Sequence, residues 1–168
     1  MLTSHELLGF MSPSLALEIL TYAYESDKPV YRATLTAVAE ARKLRPVFLE
    51  RQPRAQRHAT MLATLTRPAL ELVTGNLIRT WLLKKYNPML ADFLDALAIP
   101  HKEGVVEELP KTMDDTKLRA AVDALLAKYP PETVSVYLHA FNDMNEVEWP
   151  GLKTMLDSDP RLQLGTSA

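Results

Sequence analysis

An all-α fold is predicted for this chain, either a single helical bundle or a short stack of helical repeats. Apolar residues recur every three or four positions, as in Leu118, Val122 and Leu125, and this spacing places them on one face of a helix. Alternation with period two is nowhere sustained, so no β-strand is predicted. The chain also has twelve prolines and only five glycines. We therefore expect seven to nine helices punctuated by prolines.

Prolines mark most of the expected helix starts, because the N–H group that proline lacks has no partner at the first helical position. Where no proline is present, Asp114 and Asp115 are expected to cap and charge the start of a helix. In chain order, the starts are set by Pro13, Pro29, Pro46, Pro53, Pro68, Pro88, the Asp114-Asp115 pair, Pro131 and Pro150. The predicted helices are 13–26, 29–44, 46–52, 54–65, 68–86, 88–98, 114–129, 131–144 and 150–157.

A length of 168 residues suits one domain with a substantial core. We predict a single all-α domain over residues 1–161, followed by a frayed tail over residues 162–168. The segment 100–114, which is rich in acidic residues, is the one long loop expected inside the domain.

The sequence also contains a weak internal echo. Residues 82–88 resemble residues 125–131, and residues 93–97 resemble residues 137–141. The offset of 43 or 44 residues is in the range of two-helix repeats. A stack of repeats and an irregular bundle both remain open on this pattern.

Composition points to a cytoplasmic protein. The chain has no cysteine, which excludes disulfides, thiolate metal sites and cysteine catalysis, and which fits a reducing compartment. Its first twenty residues lack the basic region of a signal peptide. No apolar run approaches the roughly 20 residues that span a bilayer. We expect no membrane association and no cofactor.

Charge is sorted by position along the chain. Residues 32–85 contain eleven Lys or Arg and three Glu, a net charge of +8, whereas residues 86–168 carry a net charge of −7. The total of −2 hides this separation. Such asymmetry predicts either a charged partner or pairing between the two halves, and the sequence does not decide between them.

Residues 42–58, which we call the basic stretch, are the strongest candidate site. Its arginines favour bidentate contacts to carboxylate or phosphate, and the prolines within it would spread the side chains over one surface. An acidic protein, a second copy of the chain, the chain's own acidic half and nucleic acid all remain open as partners, and a solvated face without a partner is the remaining alternative. Few aromatic residues interrupt the stretch, which disfavours stacking on single-stranded nucleic acid. The predicted partner-binding residues are Arg42, Lys43, Arg45, Arg51, Arg54, Arg57 and His58.

Two further groups are candidates for function. The acidic loop, with Glu103, Glu107 and Glu108, is a candidate to pair with the basic stretch across a dimer interface. Asp92 and Asp95 share one helix face and His139 and Asp143 share another, so together they would form a set of oxygen and nitrogen ligands for a divalent metal. The Glu-x-x-His motif that is typical of metal sites in helical bundles is absent.

No catalytic motif is present: the sequence lacks a nucleophile elbow, a phosphate-binding loop, a dinucleotide glycine motif and H-E-x-x-H. The sequence therefore favours a non-enzymatic protein–protein interaction module that self-associates, its basic surface meeting an acidic partner. One alternative is a nucleic-acid-associated protein that contacts phosphates through residues 42–58. The other is a helical metal-dependent enzyme that uses Asp92, Asp95 and His139.

Overall fold

The computed structural model describes residues 2–165, and within this range the chain contains α-helices, two short 3₁₀ helices and no β-strand. The all-α prediction is confirmed. The ten α-helices of the described range are α1 (Ser4–Phe10), α2 (Pro13–Ser26), α3 (Lys28–Ala41), α4 (Pro46–Glu50), α5 (Arg54–Leu65), α6 (Glu71–Lys85), α7 (Asn87–Ala96), α8 (Asp115–Lys128), α9 (Pro131–Asn145) and α10 (Pro150–Ser158). The 3₁₀ helices are Pro68–Leu70 and Pro160–Leu162.

The prolines act as the sequence predicts. Pro13, Pro46, Pro131 and Pro150 each occupy the first position of their helix. Asp114 caps α8, because its side chain accepts a hydrogen bond from the backbone N–H of Lys117 at 3.0 Å. Local signals in the sequence therefore locate most helix starts to within one or two residues.

Helix α1 is the element that the sequence analysis did not predict. Its free backbone N–H groups at Ser4 and His5 donate to the carboxylate of Glu71, each at 2.9 Å. The ring of His5 also contacts that carboxylate, with Nδ1 2.6 Å from Oε1. A residue more than sixty positions away thus adds a cap to this short helix, whose local signal is the capping box of Thr3 and Glu6, with the Thr3 N–H donating to Glu6 Oε1 at 3.4 Å.

Contacts divide the chain into two compact units. The N-terminal unit comprises residues 3–81, and the C-terminal unit comprises residues 82–165 with Leu2. The expectation of one domain over residues 1–161 stays a prediction. Of the predicted tail, residues 166–168 lie outside the described range, whereas Leu162 is buried and its carbonyl accepts a hydrogen bond from Ser135.

Helix α3 is the centre of the N-terminal unit, because it packs against α2, α4 and α5. Ile19, Leu35, Val38, Leu49 and Met61 are almost completely buried in this unit. Although α4 is only five residues long, Leu49 anchors it to the core. The short helices of the basic stretch are therefore fixed to the fold.

Aromatic contacts in the C-terminal unit join the positions that echo each other in sequence. The rings of Tyr86 and Tyr129 lie 6.5 Å apart, and those of Phe93 and Tyr137 lie 5.5 Å apart. Phe93 also contacts Phe141 edge to face, at 5.4 Å between ring centroids. The echo thus coincides with a real packing relationship between the segments around α7 and those around α8 and α9.

This aromatic cluster predicts a large effect of core truncation. Phe93→Ala should lower the free energy of unfolding by about 3–5 kcal/mol, because it removes a fully buried ring and leaves a cavity. The measurement is a denaturant titration followed by circular dichroism. Phe10→Ala is the matched control, since Phe10 is 62% exposed. An equal loss in the two variants would contradict the packing described here.

Candidate functional site

Five cations of the basic stretch lie exposed on the N-terminal unit, and we call them the basic surface. They come from the end of α3, both ends of α4 and the start of α5, where Pro46 and Pro53 interrupt the helices. Lys43 has a φ of 56°, a left-handed conformation that ends α3 and turns the chain towards α4. The members of the basic surface are Arg42, Lys43, Arg45, Arg51 and Arg54.

No member of the basic surface forms an ion pair with an acidic side chain of residues 2–165. Arg42 donates a hydrogen bond to the hydroxyl of Thr64 at 3.1 Å, and Arg54 stacks over the ring of Tyr24 at 5.3 Å. Neither contact neutralises the guanidinium charge. The positive potential that the sequence predicts is thus not cancelled by ion pairs within the described chain.

Apolar side chains interrupt the basic surface. Leu44, Val47 and Phe48 are 40%, 38% and 54% exposed. Val47 and Phe48 precede Arg51 by four and three residues, so helical geometry places them on its side of the chain. An exposed aromatic ring next to unpaired arginines is the composition of protein-binding hot spots.

Arg57 differs from its neighbours because the fold uses most of its hydrogen bonds. Its Nε donates to the hydroxyl of Tyr31 at 2.8 Å. Its Nη1 donates to the backbone carbonyls of Glu50 and Gln52, at 3.3 Å and 3.2 Å, and so holds the turn between α4 and α5. The guanidinium also lies over the ring of Tyr24, 5.7 Å from its centroid. Arg57 therefore belongs to the support of the basic surface.

His58 is a correction to the predicted binding residues, because its side chain is buried, with 2% of the residue exposed. Its Nε2 lies 2.9 Å from the hydroxyl of Tyr31. Burial, together with the charges of Arg57 and Arg54, lowers the pKa of His58 from 6.5 to about 4. At neutral pH His58 is an uncharged hydrogen-bond acceptor inside the fold.

Tyr24 and Tyr31, which no sequence pattern indicated, contact Arg54 and Arg57 in the folded chain. They lie in α2 and α3, and their rings meet edge to face with centroids 5.1 Å apart. The ring of His58 packs against both, at 5.5 Å from each. The two tyrosines are seven residues apart and in different helices, so no periodicity connects them to the arginines.

The acidic loop lies in the C-terminal unit between α7 and α8. Glu103, Glu107, Glu108 and Asp115 are exposed, and none of them forms an ion pair within the part of the chain that the structure describes. Asp114 is also exposed and, as predicted, caps α8. The loop therefore keeps an uncompensated negative charge at the surface.

Side chains hold the acidic loop in a defined shape. Trp149 is buried and its Nε1 donates to the carbonyl of Pro110 at 3.0 Å. His101 contacts Asp95 through Nε2 at 2.7 Å, while its Nδ1 accepts the backbone N–H of Gly104 at 3.1 Å. The loop lines a cavity of about 570 Å³ that is open to solvent. The lining residues include Val105, Leu109, Glu107 and Glu108. Val105 is 53% exposed and gives the cavity an apolar edge.

The proposed metal ligands are not brought together as a site. Asp92 accepts hydrogen bonds from Lys128 and Tyr129 at 2.9 Å and 2.7 Å, and Asp95 contacts His101. His139 is buried, and its Nδ1 has no hydrogen-bond partner in the structure. Asp143, the fourth candidate, is exposed at the surface near the end of α9. Among residues 2–165, no group of three or more His, Cys, Asp or Glu residues could hold a metal ion.

Comparison with known protein families, curated proteins and solved structures finds no match to this chain. None of the helices in the described range combines the length and the apolar character that crossing a bilayer requires.

The burial of His58 predicts a pH dependence of stability. Because its pKa is about 4 in the folded protein and near 6.5 in the unfolded chain, only the unfolded state binds a proton between these values. Stability from His58 is complete above pH 6.5 and is lost as the pH falls towards 4. His58→Gln keeps an acceptor but cannot titrate. Urea titrations should show wild type losing stability relative to this variant over the window, and a constant difference would contradict the assignment.

The hydrogen bonds of Arg57 predict that its substitution lowers stability more than substitution of the neighbouring Arg54. Arg57→Lys should lower the free energy of unfolding by about 1–3 kcal/mol, because a lysine cannot reproduce the three hydrogen bonds of the guanidinium fork. Arg54→Lys is the matched control and should cost less than about 1 kcal/mol, since Arg54 contributes an exposed stack over Tyr24. Denaturant titrations measure both, and equal losses would show that Arg57 does not support the turn.

Proposed function

We propose that this protein is a non-enzymatic interaction module that self-associates. The basic surface of one copy binds the acidic loop of a second copy. One observation carries the proposal: each of these surfaces is exposed and has no internal ion pairs within the described chain, and their charges are opposite. Opposite potentials of this kind steer association and fix the orientation of the partners.

Apolar groups on both surfaces supply the affinity that charge alone does not provide. The basic surface offers Phe48, which is 54% exposed, beside Val47. The acidic loop offers an open cavity with Val105 and Leu109 in its lining. We propose that Phe48 of one copy enters this cavity of the other, with Arg51 next to Glu107 or Glu108.

The same apolar groups favour a protein partner over nucleic acid. Phosphates would use the arginines but would leave Leu44, Val47 and Phe48 without a role, since these side chains are neighbours of the cations along the chain. The ring of Tyr24 already stacks with Arg54, and only Phe48 projects from the basic surface as an exposed ring. A continuous stacking platform for bases is not formed by these residues.

Charge reversal on each surface tests the proposal. One variant combines Arg51→Glu with Arg54→Glu, and the other combines Glu107→Arg with Glu108→Arg. Each variant alone should associate at least roughly tenfold more weakly than wild type, because like charges then face each other. An equimolar mixture of the two should recover association, since the charges are again complementary. Sedimentation velocity at low and at near-physiological salt provides the measurement.

The matched control reverses Lys117 and Lys153, which are exposed cations outside both surfaces, and it should associate as wild type does. A wild-type protein that is monomeric at every accessible concentration would overturn self-association. Fluorescence anisotropy with labelled RNA and DNA completes the design. If a monomeric protein binds the labelled RNA or DNA and the binding weakens with salt, the basic surface is a nucleic-acid-binding surface instead.

A further inference from the structure

A second cavity, of about 250 Å³, lies in the N-terminal unit beside the basic surface. Its lining combines two aromatic rings, three cations, one carboxylate and one aliphatic side chain: Tyr24, Tyr31, Lys28, Arg32, Arg57, Glu50 and Leu35. From this chemistry we propose that the cavity binds a small aromatic carboxylate, with the anionic group at the cations and the flat apolar body against the tyrosine rings. This inference does not rest on the proposed self-association.

Arg57 is a cation at the cavity whose position is fixed, while part of its hydrogen-bonding capacity is unused. Its Nε and Nη1 donate to Tyr31, Glu50 and Gln52, so these contacts set the position of the guanidinium. Its Nη2 makes no hydrogen bond to any residue in the described range. A carboxylate oxygen can accept from Nη2 without displacing an existing contact, which makes the donor preorganised.

Tyr31 contributes its ring, because its hydroxyl group is already engaged by the fold. The hydroxyl oxygen accepts from Nε of Arg57, and the hydroxyl also lies 2.9 Å from Nε2 of the neutral His58. Tyr24 meets Tyr31 edge to face, and the two rings form an aromatic corner. A flat apolar group can pack against the parts of this corner that the guanidinium groups of Arg54 and Arg57 leave uncovered, with Leu35 beside it.

The charged side chains in the lining of the cavity favour an anionic ligand. Lys28 and Arg32 lie at the cavity, and Glu50 is the one acidic side chain in the lining. Glu50 is engaged by Arg32 at 3.4 Å, and Lys28 has no acidic partner within residues 2–165. With Arg57 included, the lining carries three positive charges and one negative charge. This excess of positive charge favours an anion over a cation.

The size of the cavity limits the body of the ligand. A volume of about 250 Å³ is below the range of about 300–1,000 Å³ that is typical of sites for drug-sized molecules. One aromatic ring with a short acidic side chain is of suitable size, whereas a nucleotide is not. Phenylacetate is therefore a suitable probe.

The test is a titration of the full chain with phenylacetate, followed by NMR of the tyrosine ring protons. Saturable shifts at Tyr24 and Tyr31 are expected. Acetate, which lacks the ring, and 2-phenylethanol, which lacks the charge, should each bind at least roughly tenfold more weakly. Absence of saturable shifts, or equal binding of acetate and phenylacetate, would overturn the proposal.

Charge-reversal variants locate the site. Lys28→Glu should weaken binding of phenylacetate at least roughly tenfold, because it places a carboxylate at the cavity. Lys43→Glu is the matched control, since Lys43 is an exposed lysine outside the lining, and it should bind as wild type does. Equal affinity of the two variants would overturn the location.

A variant with Arg45→Glu and Arg51→Glu separates this inference from the proposed function. It should lose self-association and still bind phenylacetate, because both residues belong to the basic surface and neither lines the cavity. Loss of phenylacetate binding in this variant, with its circular dichroism spectrum unchanged, would show that the ligand occupies the basic surface and would overturn the cavity as its site.

Discussion

The relative positions of α3, α4 and α5 in the N-terminal unit depend on the hydrogen bonds of one half-buried guanidinium group. Arg57 joins the hydroxyl of Tyr31 to the carbonyls that end α4, so it connects α3, α4 and α5 through a single side chain. Leu49 in the core and the ion pair between Arg32 and Glu50 at 3.4 Å also hold the short helix α4 against the fold. The exposed arrangement of Phe48 and Arg51 therefore follows from a contact beneath the surface, because a fixed α4 presents them together.

Burial separates residues that look alike in sequence. Arg54, Arg57 and His58 stand within five positions on α5, yet Arg54 is exposed, Arg57 is bound by the turn and His58 is buried and uncharged. A rotation of roughly 100° per residue separates Arg57 from His58, whereas Arg54 lies on the same side of α5 and is exposed because it is the first residue of the helix. Consecutive basic residues in a sequence therefore do not necessarily form a uniform basic surface. The charge of the surface depends on which of these residues are exposed to solvent.

The helices were predictable from sequence to the extent that their causes are local. Proline at the first helical position and the Asp114 cap act within one turn of the helix that they start, so their effect is visible in the letters. Helix α1 carries the local capping box of Thr3 and Glu6, but the further cap that Glu71 supplies is not visible in the local sequence, because it forms only in the folded chain. The aromatic corner of Tyr24 and Tyr31 was hidden for the same reason, since it exists only after α2, α3 and α5 have packed.

The neutral state of His58 has a consequence for the surface above it. A protonated imidazole would add positive charge among Arg54 and Arg57, and burial opposes that state until the pH approaches 4. Guanidinium groups stay protonated throughout the physiological range. The charge that the arginines present is therefore set by composition and exposure, whereas salt changes how far it acts in solution. A partner that recognises this surface by charge would respond to ionic strength much more than to small changes of pH near neutrality.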